Sequence, residues 1–266
     1  MSREQATART FHRRGRQVQT NSRLDWTDPF AILRTKWSEV PAGNTRLNTK
    51  QLLEISDQDL LRLWAEAKHQ ATTGENFSVR GWYHTLYTPI LRDNTVLDVG
   101  SGFGIDGITF AQSGAKITFL DIVDSNLAVC ARICELLGVR NVDFCYLKDL
   151  SSLSDLGSSY DVMWCQGSLI NLPFQLAWSE AQQLLKHLKP RGRWIELAYP
   201  RIRWERDGEL PFDRWGERTD GGAPWVEWYD LEKLLARLHP SRFDVVLYLE
   251  FHNGDFNWFD LVRRDN

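Results

Sequence analysis

Thr-Val-Leu-Asp-Val-Gly-Ser-Gly-Phe-Gly, residues 95–104, holds the decisive change of character in the chain: a short apolar run stops dead at a glycine cluster. A strand buried on both faces of a parallel sheet reads this way. Glycines at 100, 102 and 104 let the backbone turn sharply and meet a ligand without interference from a Cβ. The spacing then predicts a helix over 105–112, closed by Gly114, whose first turn offers unpaired N–H groups. The next apolar run, 116–121, ends on Asp121, roughly twenty residues past the glycines, where a carboxylate can accept both hydroxyls of a ribose. Loop and acid together predict a nucleotide site.

Two glycine registers compete for that site. Gly102, Gly104 and Gly107 fit the G-x-G-x-x-G spacing of dinucleotide binding, which would make the chain an NAD(P)-dependent oxidoreductase. In that register the first glycine falls two residues further past the strand, whereas Gly100 follows it directly. Asp98, just before the turn, suits a ligand carrying an ammonium group and sits poorly beside a pyrophosphate. The Gly100 register is therefore favoured.

Outward from this centre the pattern alternates. Helix is expected over 126–137, ending at Gly138, and strands over 142–147 and 160–165. A helix over 175–187, a turn at 190–192 and a strand over 193–199 follow, which argues a doubly wound α/β sheet. Two strand-like runs, 243–251 and 255–262, are joined through Asn253-Gly254, a tight-hairpin signal because both residues must take positive φ. Upstream, Trp82, Tyr83, Leu86, Tyr87 and Ile90 share one face of a helix expected over 79–91. Leu52, Leu53, Leu60, Leu61, Leu63 and Trp64 recur at near-helical spacing within 49–72, with Ser56 and Asp57 as N-cap candidates. Residues 24–43, with Trp26, Phe30 and Trp37 among prolines, read as irregular. Arg9, Arg13, Arg14 and Arg16, opposed by Glu4, make residues 3–23 a flexible basic tail, or alternatively an anion- or RNA-binding arm. The expected division is tail and irregular segment at 1–45, N-terminal helices or lid at 46–92, and the main domain at 93–266 with an insertion at 200–229.

Residues 96–104 resemble the first motif of class I S-adenosylmethionine-dependent methyltransferases, and Phe-Leu-Asp-Ile, 119–122, resembles the second. The likeness extends over about residues 80–266, closing hairpin included, and is specific at superfamily level. It implies a Rossmann-like, doubly wound seven-stranded sheet with an antiparallel final strand, a helical N-terminal extension and a lid insertion after strand five. It further implies that Asp98, Gly100, Ser101, Gly102 and Gly104 lie along the methionine part of S-adenosylmethionine, and that Asp121 and Ile122 hold the ribose. Asp149-Leu150 matches the position that meets adenine, and Gln166-Gly167-Ser168 matches the segment facing cofactor and acceptor, with Asn171 beyond it on the acceptor side.

The chain departs from many such relatives at 169–173, Leu-Ile-Asn-Leu-Pro, which holds no histidine. His84 is the remaining candidate for a general base, if a lid helix carries it over the methyl group; a core histidine is the plainer alternative. Trp82, as acceptor contact, and Tyr83, as cofactor cover, stand against the same alternative of core packing. The insertion holds Arg201, Arg203, Trp204, Trp215, Trp225 and Trp228, a density that suits stacking on a flat or sugar-like acceptor and pairing with an anionic group. Tyr199, Arg203 and Trp204 are its acceptor-binding candidates, and a surface subdomain held together by its tryptophans is the alternative. No Asn-Pro-Pro-Tyr type of run follows strand four, so a nucleic-acid acceptor is not expected.

Composition agrees with a soluble enzyme: 266 residues, 42% hydrophobic, 25% charged, net charge −3, and no apolar run of membrane-spanning length. Cys130, Cys134, Cys145 and Cys165 sit in apolar segments and read as buried thiols in a reducing cytoplasm. The six histidines are dispersed, so no metal site is expected. The sequence thus predicts a cytoplasmic S-adenosylmethionine-dependent methyltransferase of biosynthesis acting on O or N of a small, sugar-like or natural-product acceptor. The NAD(P) oxidoreductase and a non-catalytic cofactor-binding module are the alternatives.

Overall fold

The apolar run after Asn94 forms β1 (Thr95–Val99), whose residues alternate between two cores: Leu97 and Val99 pack on one face of the sheet, Val96 on the other. A strand buried on both sides must lie inside a sheet covered by helices, and it does. In the computed structural model, which describes residues 28–73, 77–157, 159–219 and 222–265, β1 shares one sheet with β2 (Lys116–Asp121), β3 (Val142–Tyr146), β4 (Tyr160–Gln166), β5 (Leu188–Ala198), β6 (Phe243–Phe251) and β7 (Phe256–Arg263). The seven strands run in the order β3-β2-β1-β4-β5-β7-β6. β7 alone runs against the direction of the other six strands, as the sequence leads one to expect. The basic tail lies outside the described residues.

Helices follow in chain order: α1 (Pro29–Glu39), α2 (Thr49–Glu54), α3 (Asp57–Thr72), α4 (Trp82–Ile90), α5 (Ile105–Gln112), α6 (Asp124–Leu136), α7 (Phe174–Leu184), α8 (Arg201–Arg206), α9 (Phe212–Trp215) and α10 (Leu231–Leu238). Ser56 caps α3 as expected, accepting from the Asp59 amide. Of the stretch expected as irregular at 24–43, residues 24–27 with Trp26 lie outside the described residues, and α1 occupies 29–39. Its start is encoded by Asp28, whose side chain accepts from the Ala31 amide, and by Pro29 in the first turn. The stretch expected as one helix over 79–91 opens instead with a π-helical turn, Phe77–Gly81, before α4.

The closing hairpin also differs from a two-residue turn. Phe251 pairs with Phe256, leaving a loop in which His252, Asn253 and Gly254 all take positive φ. Asp255 ends that loop and binds Arg206 of α8, so the turn serves as the anchor of the insertion. β5 begins earlier than expected, at Leu188, with a register shift opposite β4 and Arg191 at φ 62° where a turn was expected.

α10 seats a charge in the core. Arg237 and Glu196 of β5 are each 0% exposed and bonded to one another, and Glu196 also accepts from Trp194 Nε1 at 2.8 Å. Removing one member leaves the other charge buried and uncompensated. Arg237→Met should therefore lower unfolding free energy by about 3–5 kcal/mol; urea denaturation checks this, and a loss no larger than that of a surface substitution would contradict it.

Candidate functional site

Parallel strands β1, β2 and β4 end on one side of the sheet, where crossing directions open a crevice. A cavity of about 590 Å³ lies there, within the range of small-molecule sites. Its shape starts at Gly100, where φ is +74° and the amide donates to Leu120 O at 2.7 Å. A Cβ at this position would stand 2.4 Å from Ser168 Cβ. The loop after β1 and the loop after β4 thus touch, and only glycine permits both the turn and the contact.

Asp121, at the end of β2, is held by three donors. Its Oδ2 accepts from the Gly102 amide at 2.9 Å and from Asn126 Nδ2 at 3.1 Å, and its Oδ1 accepts from the Val123 amide at 2.8 Å. Burial raises its pKa although these bonds oppose the shift. The carboxylate is fixed in place beside the glycine loop and still lines the cavity.

Two more carboxyls stand behind it. Asp98 is buried, and burial first, then the charges of Asp106 and Asp121, push its pKa well up. Asp106 goes the other way: Arg80 and His84 outweigh the effect of burial and hold it below the usual carboxylate range. His84 Nε2 lies 2.7 Å from Asp106 Oδ1, Arg80 Nη1 3.4 Å from the same oxygen, and Trp164 Nε1 donates to Oδ2 at 3.1 Å. Arg80 lines the cavity together with both acids, so an ammonium and a carboxylate on one ligand would each find an opposite charge here.

α1 forms the opposite wall, with Phe30, Leu33 and Trp37 facing the cavity. Arg34 fixes that helix by donating to Ile122 O at 3.0 Å and Lys148 O at 2.7 Å, the chain segments leaving β2 and β3. Ser101 Oγ in the loop after β1, and Ser168 Oγ and both side-chain polar atoms of Gln166 on the β4 side, are buried with no hydrogen-bond partner, and all three residues line the cavity. Buried polar atoms in a native protein are rarely left so; these suit a polar ligand.

The structure gathers Asp98, Gly100, Ser101, Gly102, Asp121, Ile122, Gln166, Gly167, Ser168 and Asn171 around the cavity. It keeps the other expected site residues away from it. His84 is buried, stacks between Tyr83 and Phe110, and spends Nε2 on Asp106; it braces the wall and does not reach over the ligand space. Tyr83 donates to Asp106 at 3.3 Å, and Trp82 packs edge-on against Phe251 and Trp258. Both are core packing. Gly104 caps α5 at φ +69°, where a Cβ would stand 2.7 Å from Cys130 Sγ. Asp149 caps a 3₁₀ turn, Leu150–Asp155, its carboxylate accepting from Ser151 and Ser152, and Leu150 packs on the core; Leu147 takes the place beside the cavity.

The insertion is likewise turned inward. Arg203 lies 4.1 Å over the Tyr199 ring and donates to Asp255 O, while Trp204 Nε1 donates to Leu210 O at 2.7 Å. Aromatic and arginine density signalled a packed subdomain. Residues that the sequence did not single out are Arg80, Asp106, Asn126, Glu180, Phe256 and those of α1. Asp106 could have been found two places beyond Gly104, in the first turn of α5; Glu180 carried a signal as an acid on the apolar face of a helix.

Comparison with known proteins bears on this geometry. Residues 96–192 match the methyltransferase domain family. The chain is 32% identical over 107 residues to a ubiquinone biosynthesis O-methyltransferase of Idiomarina loihiensis, the match covering 40% of this chain and 43% of that protein. It is 35% identical over 83 residues to the protein so named in Pseudomonas paraeruginosa, covering 31% and 35%. The match thus spans less than half the length of these curated relatives. Among solved structures, magnesium protoporphyrin IX methyltransferase of Synechocystis with bound S-adenosylhomocysteine superposes with a TM-score of 0.57 at 18% identity, covering 88% of this chain and 99% of that one. The 1,6-didemethyltoxoflavin-N1-methyltransferase of Burkholderia thailandensis gives 0.52 at 16%, covering 82% and 92%. These likenesses show the fold.

The contact at Gly100 gives the site's own test. Gly100→Ala must strain a left-handed residue and push Ser168 away, so it should cost about 1–3 kcal/mol of stability; a melting temperature equal to that of the unaltered protein would show that the two loops do not meet.

Proposed function

We propose that this chain, whose residues 96–192 match the methyltransferase domain family, is a class I S-adenosylmethionine-dependent enzyme that transfers a methyl group from S-adenosylmethionine to oxygen or nitrogen of a small molecule in a biosynthetic step. One observation carries the reading: a cavity at the ends of β1, β2 and β4 unites a positive-φ glycine loop, the clamped Asp121, a buried Asp98 beside the Arg80–Asp106 ion pair, and unpartnered serine and glutamine groups. That set of donors and acceptors fits an amino-acid nucleoside. Asp121 would take the ribose hydroxyls, Asp98 the ammonium, Arg80 the carboxylate, and Ile122 with Leu147 the adenine. The bound sulfonium supplies an electrophilic methyl.

The protein's own work is then alignment and exclusion of water. Ser168, next to Gly100, and Asn171, which also lines the cavity, would meet the acceptor near the methyl, and α1 closes the nucleoside side. Because the insertion's arginines and tryptophans are engaged with one another, acceptor recognition falls to the β4 loop, α7 and Phe256 at the start of β7. A nucleotide with a pyrophosphate would bring negative charge against Asp98 and Asp106, which disfavours the NAD(P) reading. No described helix is long and apolar enough to cross a membrane; a cytoplasmic site of action and a non-nucleic-acid acceptor complete the proposal.

Titration calorimetry should find micromolar binding of S-adenosylmethionine or S-adenosylhomocysteine. No heat with either would refute the assignment, and binding without methyl transfer to any hydroxyl or amine acceptor would favour a non-catalytic module. Asp121→Ala, which deletes a buried acceptor, should weaken binding about ten- to hundredfold; equal affinity would remove Asp121 from the ribose role.

A further inference from the structure

α7 turns Ala177, Glu180, Ala181 and Leu184 toward the sheet. An acid among them is out of character, because a glutamate on an apolar helix face must be compensated or serve a ligand. Glu180 is 4% exposed, and it lines the cavity alongside Ser168, Leu169 and Asn171. On the reading above, Ser168 and Asn171 mark the acceptor end, and Glu180 is assigned to it with them.

The groups around it come from three elements. Arg237 of α10 is the positive charge that acts on it, but its guanidinium is already bonded to Glu196 of β5 and donates to Leu169 O at 3.4 Å. Cys165 of β4 also feels both acids, and burial keeps its thiol far above its ordinary pKa, so it stays neutral. One cation thus serves two carboxyls. Burial pushes Glu180 up to about 7, with Glu196 raising it further and Arg237 opposing. A carboxyl of this kind is able to take up a proton at neutral pH and return it to solvent afterwards, which is the tuning a general base requires. His84, locked on Asp106 outside the cavity, has no comparable access.

We propose that Glu180 is the proton acceptor for a hydroxyl methylated in this cavity, a role that rests on the methyl-transfer reading above. In the step, the hydroxyl O–H bond breaks and its proton passes to a Glu180 carboxylate oxygen. The oxygen's electron pair forms the new O–C bond, and the C–S bond breaks with its pair going to the sulfonium sulfur, which leaves as a neutral thioether. Glu196 and Arg237 are positioning residues: bonded to one another, they act oppositely on Glu180, the acid raising and the guanidinium lowering the proton affinity that burial confers.

The sign of the pH dependence follows. Glu180 has a raised pKa, so its contribution to folding stability is complete below its unfolded value and lost as pH rises through about 7. Transfer requires the ionised form, so its rate climbs over the same interval and then levels. Glu180→Gln keeps the shape and removes the titration.

Three measurements on the full chain decide the matter. First, infrared difference titration of the S-adenosylhomocysteine complex should show a protonated-acid carbonyl band vanishing through about pH 7, present in the unaltered protein and missing in Glu180→Gln. Second, raising the pH across that interval should lower the urea midpoint of the unaltered protein more than that of the variant. Third, with catechol as acceptor, Glu180→Gln should release S-adenosylhomocysteine about 10²–10⁴-fold more slowly, while calorimetric affinity for S-adenosylmethionine stays unchanged. A missing band, or equal release by both proteins or by neither, overturns the role of Glu180. Loss of S-adenosylmethionine binding in the unaltered protein would instead overturn the methyl-transfer reading itself.

Discussion

The bond from the Gly102 amide to Asp121 Oδ2 ties the first crossover of the fold to the second strand. It forms only because Gly100 and Gly102 both turn through positive φ, which returns the chain across the end of the sheet instead of continuing past it. With that reversal made, α5 starts over the cavity, Asp106 enters its first turn, and the loop after β4 finds a surface without side chains to press against. Substituting any Cβ at Gly100 displaces Ser168, so the two ligand-facing loops share one steric condition. The remaining contacts of the cavity are arranged around this point.

Charge is distributed with equal economy. The charges of Asp106 and Asp121 both raise the proton affinity of Asp98, yet each of the three acids meets a different fate. Arg80 and His84 answer Asp106, amides and an asparagine answer Asp121, and Asp98 has least of either. The consequence is a cavity wall with an unanswered acid at the position best suited to a cationic group. On the far side of the sheet the same logic recurs with Glu180, Glu196 and Arg237, where one arginine is shared between two acids. Both places store a preference for a ligand in the imbalance of buried charge.

Period and punctuation made the sheet readable. Short apolar runs stopping at glycine gave β1, and Asn253-Gly254 marked the reversal between β6 and β7, because strands buried on both faces and residues with positive φ leave strong local traces. α1 escaped because scattered aromatics masked its amphipathic pattern, although Asp28-Pro29 announced its start. Within the cavity, the residues of motif-like loops were legible, while Arg80, Asn126 and Phe256 were not: their approach depends on how distant elements pack. The insertion misled for a related reason. Tryptophan and arginine suit ligand stacking and internal cation–π packing equally well, and composition does not say which surface they face.

His84 and Glu180 show the limit most clearly. A histidine in Gly-Trp-Tyr-His drew notice because its ordinary pKa matches proton transfer, but catalysis also needs reach. α4 delivers that ring to Asp106, inside the wall, where it holds a carboxylate charged. Glu180, in a stretch reading Ala-Trp-Ser-Glu-Ala-Gln-Gln, leaves only the faint trace of one acid among alanines on a helix face, and glutamate is common on helices. Only when α7 lays it on the sheet beside another acid does it acquire a proton affinity near that of histidine. Proton-transfer chemistry in this chain is therefore a property of burial and neighbours, assembled by the fold on a residue type whose unperturbed chemistry would not qualify.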